Sequence, residues 1–462
     1  MKENLLLDTD AYKLTHHLQY PKGLTKLYSY AEARPGSRFN TVSWFGLQMI
    51  IADHLLGKVS NEMIDEAEEF SFLTFGNHNF FNREVWERVR DLGYLPIKIM
   101  ELPEGIEVPI STPLLTLEST EPWFATTLNA LESVLMQVWY PTTISTNSMY
   151  IKKALLPLFE KSGSVTGLDL AVNDFGLRGA SSLQSAQRGG AAHLLHFRGS
   201  DNLAANKVIA DVYGLKGRAL SVWATEHSVA TSYGPDRGEI DYVNSQLDRA
   251  GDNDIISIVI DSYDSINFVR NVIGSKEIKN RIIKRSGRIV LRPDSGEPQE
   301  IDLQVLDILA DIFGTDVNDK GYKVINHNVG IIQGDGMNRQ TIIELYRHIL
   351  HQGWSADNLI VGSGGGLLQE GFDRDTERFA IKASYGELGD GHGFLIQKHP
   401  KQDPTKNSKS GRFKVIRDSN RRIKTVAIDA EGNNLLKTIY ENGNFYPDSF
   451  QEILKRANIS LD

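Results

Sequence analysis

The sequence predicts an α/β chain built round a parallel sheet, and three observations carry that reading. Short runs recur that are apolar at every position. Each run stops on a loop rich in Asp, Arg or Gly. Each loop is followed by apolar residues at helical spacing. A strand apolar on both faces is buried on both sides, and strands that alternate with helices need crossovers and so pair in parallel.

The units follow in order. "LDLAVNDFGLRG" precedes the helix-like "SSLQSAQRGGAAHLLHF". "DIISIVIDSYD" reaches Asp261 and is followed by Ile266, Val269 and Ile273. "RIVLRPDSG" reaches Asp294, and Val305, Ile308, Leu309 and Ile312 then repeat at i, i+3, i+4, i+7. "NVGIIQGDG" reaches Asp335, ahead of Ile342, Leu345, Tyr346 and Ile349. "NLIVGSGGG" ends on Gly364, Gly365 and Gly366. These units suit a βα barrel or a doubly wound sheet. In either, the active site gathers at the C-terminal ends of the strands, where the loaded loops lie.

Both chain ends read differently. Helix-like "NEMIDEAEEF" and "EVWERVRDLG" mix with strand-like "LPIKIMELPEGIEVP" and "PLLTLEST", and the tail alternates short strands and polar turns in "GRFKVIRDSN" and "IKTVAIDAEGNN". The expected organisation is a discontinuous β-rich companion domain from residues 1–150 and 385–462, flanking an α/β barrel over 151–384.

Composition narrows the function. The chain has 462 residues, 40% hydrophobic and 24% charged, with a formal net charge of −9. That balance describes a globular protein and argues against a nucleic-acid partner, which favours a basic face. No cysteine is present, which excludes thiolate nucleophiles and Cys-based metal sites. The first residues are too acidic for a secretory signal, and no stretch approaches the ~18 apolar residues of a spanning helix. The expectation is a cytoplasmic protein without membrane contact.

The strand ends carry the chemistry. Glycines 362 and 364–366 let backbone N–H groups face an anion, although a tight turn is the plain alternative. Arg292 offers a planar fork for phosphate or carboxylate, and Asp294 an acceptor for ribose hydroxyls or an aid to Mg²⁺. The two could equally pair with each other. Gly334-Asp335-Gly336 and Asp261 repeat the theme. Together they suggest a ribose-phosphate site with a metal ion. His227 follows Glu226, and either that carboxylate or a strand-end Asp could orient its ring.

"DTDAYKLTHHLQYP", "DFGLRG", "EHS", "DSYD", "RPDSG", "QGDG" and "GSGGGLLQ" occur in this order along the chain. In these motifs it resembles the nicotinamide phosphoribosyltransferases. The resemblance implies the type II phosphoribosyltransferase fold, an irregular βα barrel with a β-rich companion domain, acting as a homodimer with active sites at the subunit interface. It implies synthesis of nicotinamide mononucleotide and pyrophosphate from nicotinamide and phosphoribosyl pyrophosphate in NAD salvage. Mg²⁺ is the implied cofactor, held mainly through pyrophosphate rather than by protein ligands, and ATP the implied co-substrate. The rival readings are a nicotinate phosphoribosyltransferase, a non-catalytic nucleotide-binding relative and, more weakly, a metal-dependent hydrolase, which the lack of clustered histidines disfavours.

Residue by residue, the resemblance implies that Phe175 and Tyr12, the latter from the partner subunit, sandwich the pyridine. Arg292 lies near the carboxamide and Asp294 positions the ribose. Gly334, Gly364 and Gly365 hold the phosphate, with Arg178 and Asp261 close by. His227 is the implied phosphorylated histidine, oriented by Asp261. Asp201 selects the amide over the acid. Asp10, Ser221, Ser257, Asp335 and Arg374 join the substrate contacts, and Lys382, Lys398 and Lys406 the phosphate or ATP contacts. The chain departs from the family pattern at Glu370, where relatives carry a basic residue, and at Asn173, where better-known members have His.

Overall fold

The computed structural model describes residues 4–402 and 407–457. They form two compact units. The first comprises the chain up to Thr146, the segment Val208–Leu215 and the chain from Phe372; the second comprises Asn147–Lys207 and Lys216–Gly371. The division falls inside one continuous helix, Trp139–Ser162.

The first unit is built on a seven-stranded sheet, entirely antiparallel. Its order is Gly393–Leu395, Ala380–Leu388, Leu24–Glu32, Leu115–Ser119, Ile97–Glu101, Lys437–Glu441, Asn444–Phe445. Alternation is plain in Ile97–Glu101, where Ile97, Ile99 and Glu101 are buried and the residues between are half-buried, as expected of a sheet with one core face. Two helices cover it where the sequence predicts them. Asn61–Phe75 starts on the Ser60 cap, and Arg83–Leu92 starts on Asn82 and stops at Gly93, whose φ of 76° a side chain would disfavour. The tail adds the hairpin Phe413–Arg417/Ile423–Ala427. Residues 380–384, expected with the barrel, belong to this antiparallel sheet because Ala380–Leu388 pairs with Leu24–Glu32 along its whole length.

The second unit is the α/β barrel. Its seven parallel strands are labelled β1 (Val172–Asp174), β2 (Gly199–Ser200), β3 (Trp223–Ala224), β4 (Ile256–Val259), β5 (Ile289–Arg292), β6 (Val329–Gln333) and β7 (Leu359–Ser363). The spatial order is β2-β1-β7-β6-β5-β4-β3. A parallel bridge between Gly199 and Leu220, just ahead of β3, brings the two edges of the curled sheet together. Because all pairs are parallel, the loops after Asp174, Ser200, Val259, Arg292, Gln333 and Ser363 emerge at one end.

The crossover helices bury the predicted faces. Arg339–His351, opened by a capping box at Asn338, buries Ile342, Leu345, Tyr346 and Ile349. The segment after Asp261 departs from expectation: one α turn, Ser265–Asn267, widens into a π-helix over Phe268–Ile273. Among the described residues no helix is long and apolar enough to cross a membrane.

Pro298–Phe313 buries Val305, Leu306, Ile308 and Leu309, and with them Asp302. Burial pushes the Asp302 carboxyl up to about 8, offset only in part by the hydrogen bond it accepts from Gln333. The unfolded chain releases this proton near the ordinary value of 3.8, the folded chain near 8. Stability is therefore fully present below the first value and declines as pH rises to the second. Asp302→Asn is expected to raise Tm at pH 8 by several degrees and to change it little at pH 4, where the carboxyl is protonated in the folded chain and half-protonated in the unfolded one. Paired melting curves at the two pH values check this.

Candidate active site

A polar cavity of 300 Å³ opens among the strand-end loops of the barrel, with Phe175, Arg178, Arg292 and Asp294 facing the glycines of the β6 and β7 loops. The glycine run has divided duties. A Cβ at Gly362 would lie 1.9 Å from Phe175 Cε2, so this glycine is the berth of the ring. One at Gly366 would lie 2.3 Å from the Met337 carbonyl. Among the described residues nothing lies within 4 Å of a Cβ placed at Gly365. Of the run, Gly364, Gly365 and Gly366 face the cavity, and Gly362 serves packing. The Ser363 hydroxyl donates to Met337 O and ties the β7 loop to the β6 loop.

Asp174 fixes the turn that presents Phe175. Its buried carboxylate accepts from Gly176 N at 2.7 Å and from Asn202 Nδ2 at 3.0 Å. Burial raises its pKa to about 6, with these bonds opposing the rise. Phe175 N donates to Ser363 O at 2.9 Å, and Asp201 N to Asp174 O at 3.1 Å. One carboxyl thus ties the loops after β1 and β2 together.

A second cavity, 240 Å³ and mostly apolar, lies inside the barrel between Val290, Ile332 and Ile360. Its polar groups include Asp201, Ser221 and Ser257, and the Ser221 hydroxyl donates to Asp201 Oδ1 at 2.5 Å. Asn173, the departure from the family pattern, lines it too and donates weakly to Leu170 O at 3.3 Å. Phe175 and Arg292 line both cavities. Arg292 Nε is buried and has no hydrogen-bond partner among the described residues. A ring face and a guanidinium therefore stand where a slot for a flat apolar group meets a polar, glycine-lined chamber.

His227 stands nearby on the same rim. Its Nε2 lies 2.9 Å from Asp261 Oδ1, and its Nδ1 lies 4.0 Å from Asp294 Oδ2. Asp261 is the more buried partner, its side chain 5% exposed against 47% for the histidine. Glu226 accepts from the Ser228 hydroxyl instead of facing the ring, so the strand-end carboxylate is the orienting group. A proton on Nε2, assigned from this bond, leaves the Nδ1 lone pair accessible.

The remaining predicted residues lie elsewhere. Asp335 is exposed beside the polar cavity, and its N–H turns back to Gln333 Oε1 at 2.9 Å. In the first unit, Asp10 accepts from Ser133 Oγ at 2.7 Å, and Tyr12 is 58% exposed with its ring edge-on to His16. Lys382 is held below the usual ammonium range by burial, then by Arg34 and Lys398. Arg374 donates to Asp375 and adds to the positive field on Arg34. Arg374, Lys382 and Lys398 thus share one basic neighbourhood with Arg34, in "ARPGSR", and Arg378, in "DTERFA", two residues the motif reading passed over. Lys406 lies outside the described residues. Among the described residues no group of three or more His, Asp or Glu side chains could hold a metal.

Comparison with known proteins converges on one family. Residues 170–444 match the nicotinate phosphoribosyltransferase (NAPRTase) family, and residues 4–99 match the nicotinamide phosphoribosyltransferase N-terminal domain. A nicotinamide phosphoribosyltransferase of Xanthomonas campestris is 38% identical over 96% of this chain and 95% of its own. One from Acinetobacter baylyi is 30% identical over 99% and 98%. In fold, the chain is similar to the nicotinate-nucleotide pyrophosphorylase of Pyrococcus furiosus (TM-score 0.60, 16% identity, 99% of this chain and 95% of that one). It is also similar to human nicotinic acid phosphoribosyltransferase (TM-score 0.56, 16% identity, 98% and 93%). With a family match across the whole barrel and relatives of this identity along nearly its full length, the chain belongs to the NAPRTase family and, within it, to the nicotinamide phosphoribosyltransferases.

Proposed function

We propose that this pentosyltransferase joins nicotinamide to phosphoribosyl pyrophosphate, releasing pyrophosphate and nicotinamide mononucleotide for NAD salvage. The observation that carries the reading is the pair of cavities sharing Phe175 and Arg292. The apolar slot suits a pyridine ring and the glycine-lined chamber a sugar phosphate. The pyridine nitrogen forms a bond to ribose C1 as the C1–O bond to pyrophosphate breaks. It needs no general base, so catalysis consists of alignment and charge stabilisation. Phe175 stacks on the ring, Arg292 meets the carboxamide, and Asp294 holds a ribose hydroxyl. Tyr12, exposed in the first unit, closes the other ring face from the partner subunit of a homodimer.

A Mg²⁺ ion entering with the pyrophosphate would have Asp294, on the wall of the polar cavity, to help place it, and would neutralise charge on the leaving group. The basic neighbourhood of Arg374, Lys382 and Lys398 suits the phosphates of pyrophosphate or ATP. His227 Nδ1, the nitrogen not engaged by Asp261, takes the γ-phosphoryl group of ATP as its bond to ADP breaks, and water later cleaves the P–N bond to release phosphate. The setting of the reaction is cytoplasmic.

Asp201 sets the choice of base. Its carboxylate accepts from an amide N–H₂ and repels the carboxylate of nicotinate. Asp201→Ser is expected to shift the nicotinamide-to-nicotinate ratio of kcat/KM toward the acid by about a hundredfold, the ~3 kcal/mol of one like-charge contact. An unchanged ratio would remove this role.

The test of the whole reading is a product assay with phosphoribosyl pyrophosphate and Mg²⁺, each base offered separately, with and without ATP. Mononucleotide from nicotinamide, boosted by ATP in the wild type and unboosted in His227→Ala, is the expected result. Product chiefly from nicotinate would transfer the assignment to the acid, and an ATP boost that survives His227→Ala would remove the phosphohistidine.

A further inference from the structure

We propose that Gln333 and Asp302 are positioning residues for the loop Gly334–Gly336, with Asp302 fixing which way the Gln333 amide points. The inference rests on the phosphoribosyl reading of the polar cavity, which Gly334 and Gly336 line.

Gln333 is the last residue of β6 and is buried. Its Oε1 accepts from Asp335 N at 2.9 Å, and its Nε2 donates to Asp302 Oδ1 at 3.1 Å. A glutamine amide has two near-isosteric orientations. The Asp335 N–H needs the oxygen, so the nitrogen must turn inward and find an acceptor in the core. Asp302 is that acceptor. It occupies the inward position of its helix that Val305, Leu306 and Leu309 continue, where an apolar residue is expected. It is fully buried, and its Oδ2 has no partner among the described residues. A carboxyl so placed costs stability, and the contact it makes leads to the cavity wall.

That wall has little slack. A Cβ at Gly334 would lie 2.9 Å from Asp294 Oδ1. Gly336 has a φ of 62°, which disfavours a side chain. The far end of the loop is held at Met337 by the Ser363 hydroxyl and by the close approach of Gly366. Gln333 holds the near end. If its amide turns over, the Asp335 N–H faces N–H₂ instead of oxygen, and Gly334 shifts against Asp294.

The experiment measures binding of phosphoribosyl pyrophosphate with Mg²⁺ to the full chain by calorimetry, beside steady-state kinetics and a melting curve for each variant. Gln333→Met and Asp302→Leu are each expected to raise Kd and KM about tenfold, the worth of one buried hydrogen bond, with kcat at saturation little changed. The double variant is no worse than either single one, because both break the same link. Asp302→Asn keeps an acceptor oxygen and binds as the wild type does. A merely structural role lowers Tm without moving Kd. The inference is overturned if folded Gln333→Met binds within about twofold of wild type, if the two effects add, or if Asp302→Asn is as weak as Asp302→Leu. A wild type that binds no phosphoribosyl pyrophosphate overturns the functional reading, and this inference with it; a wild type that binds, with variants that bind equally, overturns this inference alone.

Discussion

Gly362→Ala is expected to lower kcat/KM by about a hundredfold, the cost of misplacing a reacting group by ~1 Å. The added methyl would lie 1.9 Å from Phe175 Cε2 and 2.2 Å from Cδ2, distances no contact tolerates. Gly362 sits within β7, hydrogen-bonded to β6 and β1, so the backbone has little room to yield and the ring must move. The ring is a wall of both cavities, and its displacement spoils the slot and the chamber together. Overpacking adds a stability loss of about 1–3 kcal/mol, visible in melting. A double variant separates the causes: in a Phe175→Ala background the extra methyl is harmless. If Gly362→Ala impairs that background as much as the wild type, the loss does not run through the ring.

Arg292→Lys is expected to cost about a hundredfold in kcat/KM, because a donor that no longer fixes the carboxamide lets the pyridine nitrogen drift by ~1 Å from ribose C1. Lysine keeps the charge but replaces a planar fork of five donors with a mobile point charge. Arg292 is held at the junction of the cavities with a buried Nε that has no partner among the described residues, a polar group kept in readiness at a cost to folding. The variant should therefore melt no lower than the wild type while losing activity. Steady-state kinetics beside a melting curve tests both halves, and activity within tenfold of wild type would detach Arg292 from the chemistry.

The barrel was legible where burial alone dictates residue type. Ile289–Leu291 and Val329–Ile332 are apolar because both faces are covered, and Ile342, Leu345, Tyr346 and Ile349 repeat because one face of their helix is. The long helix Trp139–Ser162 was not. Thr142, Thr143, Ser145 and Thr146 are all buried, and such a polar run reads as a loop. Thr143 Oγ1 donates to Trp139 O and Thr146 Oγ1 to Thr142 O within the helix, both at 2.7 Å, while Thr142 Oγ1 reaches Phe45 O and Ser145 Oγ reaches Ser43 Oγ, both at 2.8 Å, which lets a polar sequence sit in a dry interior. At the site, motif reading found the residues that face the cavities and missed those behind them. Nothing in "QGDG" says that its glutamine reaches a carboxyl in the core, and nothing in "GSGGG" says that its first glycine makes room for a ring. Those roles belong to contacts between segments far apart in sequence.

The wall shared by the two cavities also bears on the order in which substrates meet the enzyme. On the proposed reading, a ligand in the chamber that holds the ring and the guanidinium would prepay the ordering that a ligand in the slot otherwise requires. Each ligand then tightens the other by the same factor, since coupling of this kind is reciprocal. On that reading the barrel interior would thus act as one heterotropic unit, in which neither half-site reaches its full affinity until the other is filled.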